Sequence, residues 1–278
     1  MGELPTDSTA ETFAANRARG RIVVTADGAA GVTRRRRVHE DGSLRIRFPN
    51  GDGRDLEAVV INTAGGVAGG DRFAFDLAVE DGGCLTLTTA AAEKTYRSHG
   101  PDSVIDVSLT VGNNATLRWL PQETILFDQA RLSRKVDINL TGNGTLLLAE
   151  AVVFGRTAMG ETVASGMFTD RWRVRRNGRL AFAETVKLDG AIASQLSQRA
   201  VAAGGAALAT VLLSPGDDTA VAAVRALEEN FAGEVGASAW NGQAVMRLCA
   251  TDGARLRHDL MMILSALSDR ALPRLWLN

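Results

Sequence analysis

The sequence is short of the residues that hold metals tightly or stack on sugars and bases. It has three histidines (His39, His99 and His258) and two cysteines (Cys84 and Cys249), all well separated in 278 residues. No HxH, HExxH or CxxC spacing occurs, which argues against a closed nitrogen–sulfur metal site. Two distant cysteines make no disulfide framework. Aromatic residues are only 5% of the chain, with a single tyrosine, Tyr96, so platforms for sugar rings are scarce. Charge of one sign is lacking too. With 31 basic against 32 acidic residues, the chain has none of the basic excess of a general nucleic-acid binder. No apolar run approaches the ~18 residues of a membrane span. The polar N-terminal stretch MGELPTDSTAETFAANRARG has no secretory h-region. Free thiols without an export signal read as cytoplasmic. Residues 1–19 read as a disordered tail and 20–278 as one domain.

What is abundant is strand pattern. Between about residues 20 and 190 the chain is a succession of β-branched or alternating runs, such as VIDVSLTV and KVDINLT, closed by glycine, asparagine or aspartate. Only AAAEKTYRS there suggests a turn of helix. The plan of an alternating strand, a glycine or asparagine turn and a strand opened by leucine recurs about every 30 residues. Such recurrence predicts a mainly β fold of stacked β-hairpins or β-helix-like repeats, with an ordinary sandwich as the alternative. After Gly190 an alanine- and glycine-rich connection leads to a buried strand at 207–213. Two C-terminal α-helices follow within about 214–272. Val224 lies on the apolar face of the first. Leu256, Leu260, Ile263, Leu264 and Leu267 form the stripe of the second, which Met261 and Met262 widen.

The glycine-rich stretch INTAGGVAGGDRF invites a phosphate-loop reading. It lacks the lysine and the following helix, and Asp71 stands where a phosphate would sit. The turn reads instead as one that needs glycine for its backbone, either as a tight structural hairpin or as a hairpin that presents Asp71. No GxSxG elbow is present. The remaining candidates are acids at the ends of apolar strands: Asp71, Glu93, Glu123, Glu150 and Glu184. Glu150 and Glu184 end similar strings, GTLLLAE and GRLAFAE, which suggests equivalent places in two repeats. Stacked repeats would align such acids along a path. Neutralisation by nearby arginines or lysines is the plainer reading. The run Arg34-Arg35-Arg36-Arg37 reads as a solvated face or as a docking patch for an acidic partner.

Six motifs in order, INTAGGVAGGDRF, LTTAAAEKTYRS, LRWLPQETILFDQARL, AEAVVFGRTAMGE, DRWRVRRNGRLAFAE and LPRLW, resemble those of the urease accessory protein UreD family, also called UreH. The resemblance implies a non-enzymatic maturation factor, a nickel-insertion chaperone. It would join UreF and the GTPase UreG on apo-urease, in an accessory complex that is itself a dimer. It also implies a β-rich stack of strands with two helices, and a water-filled tunnel that hands transient Ni²⁺ to urease without binding it tightly. Asp71, Glu93 and Glu184 match tunnel-associated positions, and Glu150 is added from the repeat. Carboxylates suit passage, because histidine and thiolate would hold Ni²⁺ more firmly. Met261, Met262, Arg274 and Trp276 are the expected UreF side, with closure of the core as the equal alternative for Trp276. Two further functions remain open: a β-repeat carbohydrate-active enzyme using Asp71 and Glu184 as paired carboxylates, and a docking scaffold with no metal path.

Overall fold

The computed structural model describes residues 17–29, 31–49, 54–156 and 159–277. Most of the expected N-terminal tail, residues 1–16, lies outside them, and Arg19 already opens the first strand. The chain winds as a β-solenoid. One face of each coil comes from β1 (Arg19–Ala29), β5 (Arg72–Val79), β8 (Ser103–Val111), β11 (Arg131–Leu140) and β13 (Gly166–Arg176), paired in parallel in that order. The opposite face comes from β4 (Leu56–Asn62), β6 (Cys84–Thr89), β9 (Thr116–Leu120) and β12 (Thr145–Phe154), also parallel. Two short strands, β7 (Glu93–Thr95) and β10 (Thr124–Leu126), make a third side. The AAAEKTYRS segment is therefore strand at Glu93–Thr95 and not helix. Its backbone finds partners in β10 of the next coil, and tertiary pairing overrides the local alanine preference.

The turns of the repeat join strands of opposite sheets, so the unit that stacks is a coil and the β-helix form of the expectation is the one adopted. Successive coils are offset by 32 residues from β5 to β8, where Arg72 pairs with Val104. From β9 to β12 the offset is 29, where Thr116 pairs with Thr145. Alternation fills the interior. Leu77, Leu109, Ile138 and Val174 stack in register through consecutive coils and all are buried. Each such row sheds apolar surface at about 25 cal/mol per Å².

The first sheet ends in the hairpin partners β2 (Val32–Gly42) and β14 (Arg179–Gly190), one at each edge. β3 (Leu44–Arg47) caps the second sheet at one end. At the other end, β15 (Ala207–Ser214), β17 (Gln243–Ala250) and β16 (Glu234–Trp240) extend it antiparallel. The helices are α1 (Ile192–Ser197), α2 (Asp218–Arg225) and α3 (Gly253–Leu267). The sequence did not single out α1, which is only six residues long. Asp217 and Asp252 cap α2 and α3, each accepting from backbone N–H groups of the first turn. Val224 of α2, and Leu256, Leu260, Ile263 and Leu264 of α3, pack on the outer face of the second sheet and form a second core with Leu147, Ala149 and Ala151 of β12. Among the described residues no helix is long and apolar enough to cross a membrane.

Candidate functional site

The glycine-rich loop closes the first full coil. Gly65, Gly66 and Gly70 have positive φ, and a Cβ on Gly66 would lie 2.4 Å from the Tyr96 ring. Val67 is buried and bridges to Thr95, so the loop folds inward and leaves no cradle of free N–H groups. Asp71 is 3% exposed. Its two carboxylate oxygens accept from the backbone N–H groups of Ala18, at 2.8 Å, and Ala68, at 2.7 Å. Asp71 thus ties the loop to the entry of β1.

Glu93 lies beside it on the third side of the solenoid. The Asn62 side-chain amide donates to both its oxygens at 3.3 and 3.2 Å. Burial pushes Glu93 up to about 7, with the charge of Asp71 adding to the rise and the Asn62 hydrogen bond opposing it. Glu93 pairs with Thr124, and Thr124 with Val152. Strand partners in parallel register share a face, so these three residues form an inward row along the axis.

That row ends at a cavity. About 600 Å³ opens between β13 and β14 on one side and β15, β16 and β17 on the other. Glu150, Asp170, Glu184, Glu234, Arg134, Arg247 and Cys249 line it among apolar residues that include Val152 and Phe168. Its floor is a layer of buried charge. Arg134, Glu150 and Asp170 occupy inward positions of β11, β12 and β13 that are otherwise apolar. Arg134 pairs with Glu150 and, at 2.6 Å, with Asp170. The indole N–H of Trp119 donates to Glu150 at 2.7 Å, and that of Trp172 to Asp170 at 3.0 Å. One cation among two carboxylates leaves the layer one negative charge in excess. Burial, with the charge of Asp170, outweighs Arg134 and pushes Glu150 up to about 7. The Arg134 guanidinium stays charged because both carboxylates raise its value further. Its Nε is buried without a partner.

The mouth is looser. Glu184 on β14 pairs with Arg247 on β17 across the gap between the sheets, and the Arg247 side chain is 59% exposed. Cys249 borders the cavity with its thiol pushed up by burial and by Glu234. Among the described residues no cluster of three or more His, Cys, Asp or Glu is spaced to hold a metal ion.

The four acids therefore fall into two pairs. Asp71 and Glu93 share the loop end, while Glu150 and Glu184 share the cavity. The expected equivalence of Glu150 and Glu184 does not hold. Glu150 lies on β12 in the second sheet and Glu184 on β14 in the first. They face the same cavity from opposite sheets and are not stacked along one. The pairing of Asp71 with Glu184 as glycosidase carboxylates also fails, because Asp71 is engaged by backbone N–H groups at the loop and does not line the cavity. Sequence reasoning missed Arg134, Asp170, Trp119 and Trp172. Their signal was one charge among the otherwise apolar alternate positions of a strand, Leu132, Arg134 and Val136 or Phe168, Asp170 and Trp172.

The family described as UreD urease accessory protein matches residues 17–277. The chain belongs to the UreD urease accessory protein family. It is 57% identical to a urease accessory protein UreD of Rhodopseudomonas palustris strain BisA53 over 277 residues, covering 99% of this chain and 96% of that protein. It is 56% identical to one of Bradyrhizobium diazoefficiens over 270 residues, covering 97% and 98%. In this member of the UreD family, Trp276 is 1% exposed. Its indole N–H donates to the Leu120 carbonyl at 3.1 Å, and Arg257 lies over its ring at 5.0 Å. Trp276 thus closes the second core. Met261 packs against the same core and Met262 is half-buried, while Arg274 is exposed.

Proposed function

We propose that the chain is a urease maturation factor that acts in the cytoplasm with UreF and the GTPase UreG to deliver Ni²⁺ to apo-urease. The ion is cargo, and the cavity is the part of the chain it passes. Family membership supports the role in urease maturation. The observation that carries the passage is the cavity itself, whose lining has four carboxylates against two arginines. A conduit must bind its ion weakly enough to release it, and oxygen donors without histidine meet that condition for Ni²⁺. The row Glu93–Thr124–Val152 supports an inward route from the loop end toward the cavity. This reading assigns the chain no turnover of its own. Arg274 and Met262 remain candidates for the UreF side.

The test is the double substitution Glu184→Gln with Glu234→Gln in cells lacking the native chain. Nickel per urease active site should fall several-fold while co-purification of UreF and the melting temperature of the variant stay unchanged. Full nickel loading by the variant would sink the passage and leave a docking scaffold as the better account.

A further inference from the structure

Strand β2 belongs to neither the cavity nor the loop end, and it lies at the edge of the first sheet opposite β14. Between Arg17 and Arg47 the chain has nine arginines against three acidic residues, although its net charge is only −1. Four of those arginines, Arg34 to Arg37, are consecutive on β2. Among the described residues β2 pairs as a strand only with β1; on its far edge Thr33 N–H donates to the Arg54 carbonyl at 2.9 Å, and from Arg34 to His39 that edge has no further backbone partner among the described residues. Successive strand residues point to opposite faces, and every residue from Arg34 to His39 is exposed. Both faces of this strand are therefore cationic. Arg36 pairs with Asp27, and Arg35 lies over the Phe48 ring at 4.8 Å. Among the described residues Arg34 and Arg37 make no ion pair.

A few charges suffice to blunt an exposed edge, and a solvated arginine run would need no more explanation. Here, however, the free backbone and the two-sided charge coincide. We infer that β2 is a docking strand for an extended acidic segment of a partner protein. The segment adds to the edge of the first sheet through main-chain hydrogen bonds, and its carboxylates meet guanidinium groups on both faces. Strand addition is a common way to capture extended peptides, and arginine is suited to bidentate carboxylate contacts. Single-stranded nucleic acid is the weaker fit, because its bases favour exposed aromatic platforms and Phe48, half-buried beneath Arg35, offers none. The inference stands independently of the nickel passage.

The test measures binding of a short fluorescent peptide repeating Glu-Glu-Thr-Thr to the full chain. The double variant Arg34→Gln, Arg37→Gln should keep the parent melting temperature and bind about tenfold more weakly, the effect of two partly exposed charge pairs. The same peptide with N-methylated backbone amides should lose at least as much. Equal binding by the double variant would overturn the proposal. Equal binding of the N-methylated peptide would reduce the strand to a diffuse charged patch. Tighter binding of a single-stranded oligonucleotide would assign the surface to nucleic acid. Binding that appears only after removal of residues 1–16, which carry three acids and no base, would make the chain's own N-terminus the occupant. Self-association of the variant with unchanged peptide binding would leave only a guard against aggregation.

Discussion

The two ends of the solenoid bury their acids in different ways. At the loop end, Asp71 pairs with no basic side chain among the described residues and accepts from two backbone N–H groups. Its neighbour Glu93 takes the Asn62 amide and a Lys94 backbone hydrogen bond, yet burial still pushes it up to about 7. At the cavity end, Glu150 and Asp170 share Arg134 and take an indole N–H each. The first end fixes a loop with dipoles. The second holds a surplus negative charge beside an open volume. Dipoles fixed by backbone cannot rearrange without unfolding the loop, whereas side-chain charge beside a cavity can change partners.

The sharpest way to break this contrast is to remove Arg134. Arg134→Met leaves two carboxylates in the floor of the cavity without a cation, and loss of one member of a buried pair costs about 3–5 kcal/mol. The melting temperature should fall steeply at pH 8 and less at pH 5, because protonation of Glu150 relieves part of the charge. Adding Glu150→Gln and Asp170→Asn to the variant should recover much of the loss. If Arg134→Met melts like the parent at pH 8, the floor is not the buried charge layer described here.

At the loop end two substitutions should move in opposite directions. For Glu93 the folded value of about 7 lies above the ordinary 4.5. Below pH 4.5 both folded and unfolded chains carry the proton. Between those values the folded chain binds more protons, so stability falls as pH rises through the folded value of about 7. Above it the accumulated loss approaches about 3 kcal/mol. Glu93→Gln keeps an acceptor for Asn62 and should therefore stabilise the chain by about 2–3 kcal/mol at pH 8.5, with almost no effect at pH 4. Asp71→Asn instead turns an amide donor toward a backbone N–H and should destabilise by about 2 kcal/mol. Denaturant titrations at the two pH values measure both. A Glu93→Gln profile as steep as the parent's would show that this carboxyl is not the group that titrates.

How much of this was legible in the sequence depended on the range of the interaction. Turn residues at a period near 30 revealed the coils, because each coil repeats the same local problem of turning between two sheets. The same strings could not say which sheet a strand joins. GTLLLAE and GRLAFAE look alike, yet the first is β12, buried along nearly its whole length, and the second opens the exposed edge strand β14. Alternation and a terminal acid are local properties, while sheet membership is set by partners tens of residues away. Arg134 and Asp170 were passed over for the same reason. Each is the single charge among the buried inward residues of its own strand and becomes a layer only when Arg134 meets Asp170 in register and Glu150 across the interior. For the glycine loop the sequence offered a tight structural hairpin or one that presents Asp71, and the loop buries that carboxylate against two backbone N–H groups.

The smallest expected effect lies at the mouth, where floor and rim can be compared directly. Glu184 and Arg247 join two sheets whose edge strands have no backbone pairing with each other. The Arg247 side chain is 59% exposed, so water screens the pair, and such contacts contribute only about 0–1 kcal/mol. Arg247→Gln should therefore leave the melting temperature nearly unchanged, in contrast to Arg134→Met a few residues deeper. It should also free the Glu184 carboxylate from its cationic partner and tighten binding of Ni²⁺ to the isolated chain, measured by calorimetry at low ionic strength. A large loss of stability would show that the rim belongs to the rigid floor. An unchanged nickel isotherm would show that Glu184 is no part of the ion's route, even if the cavity is.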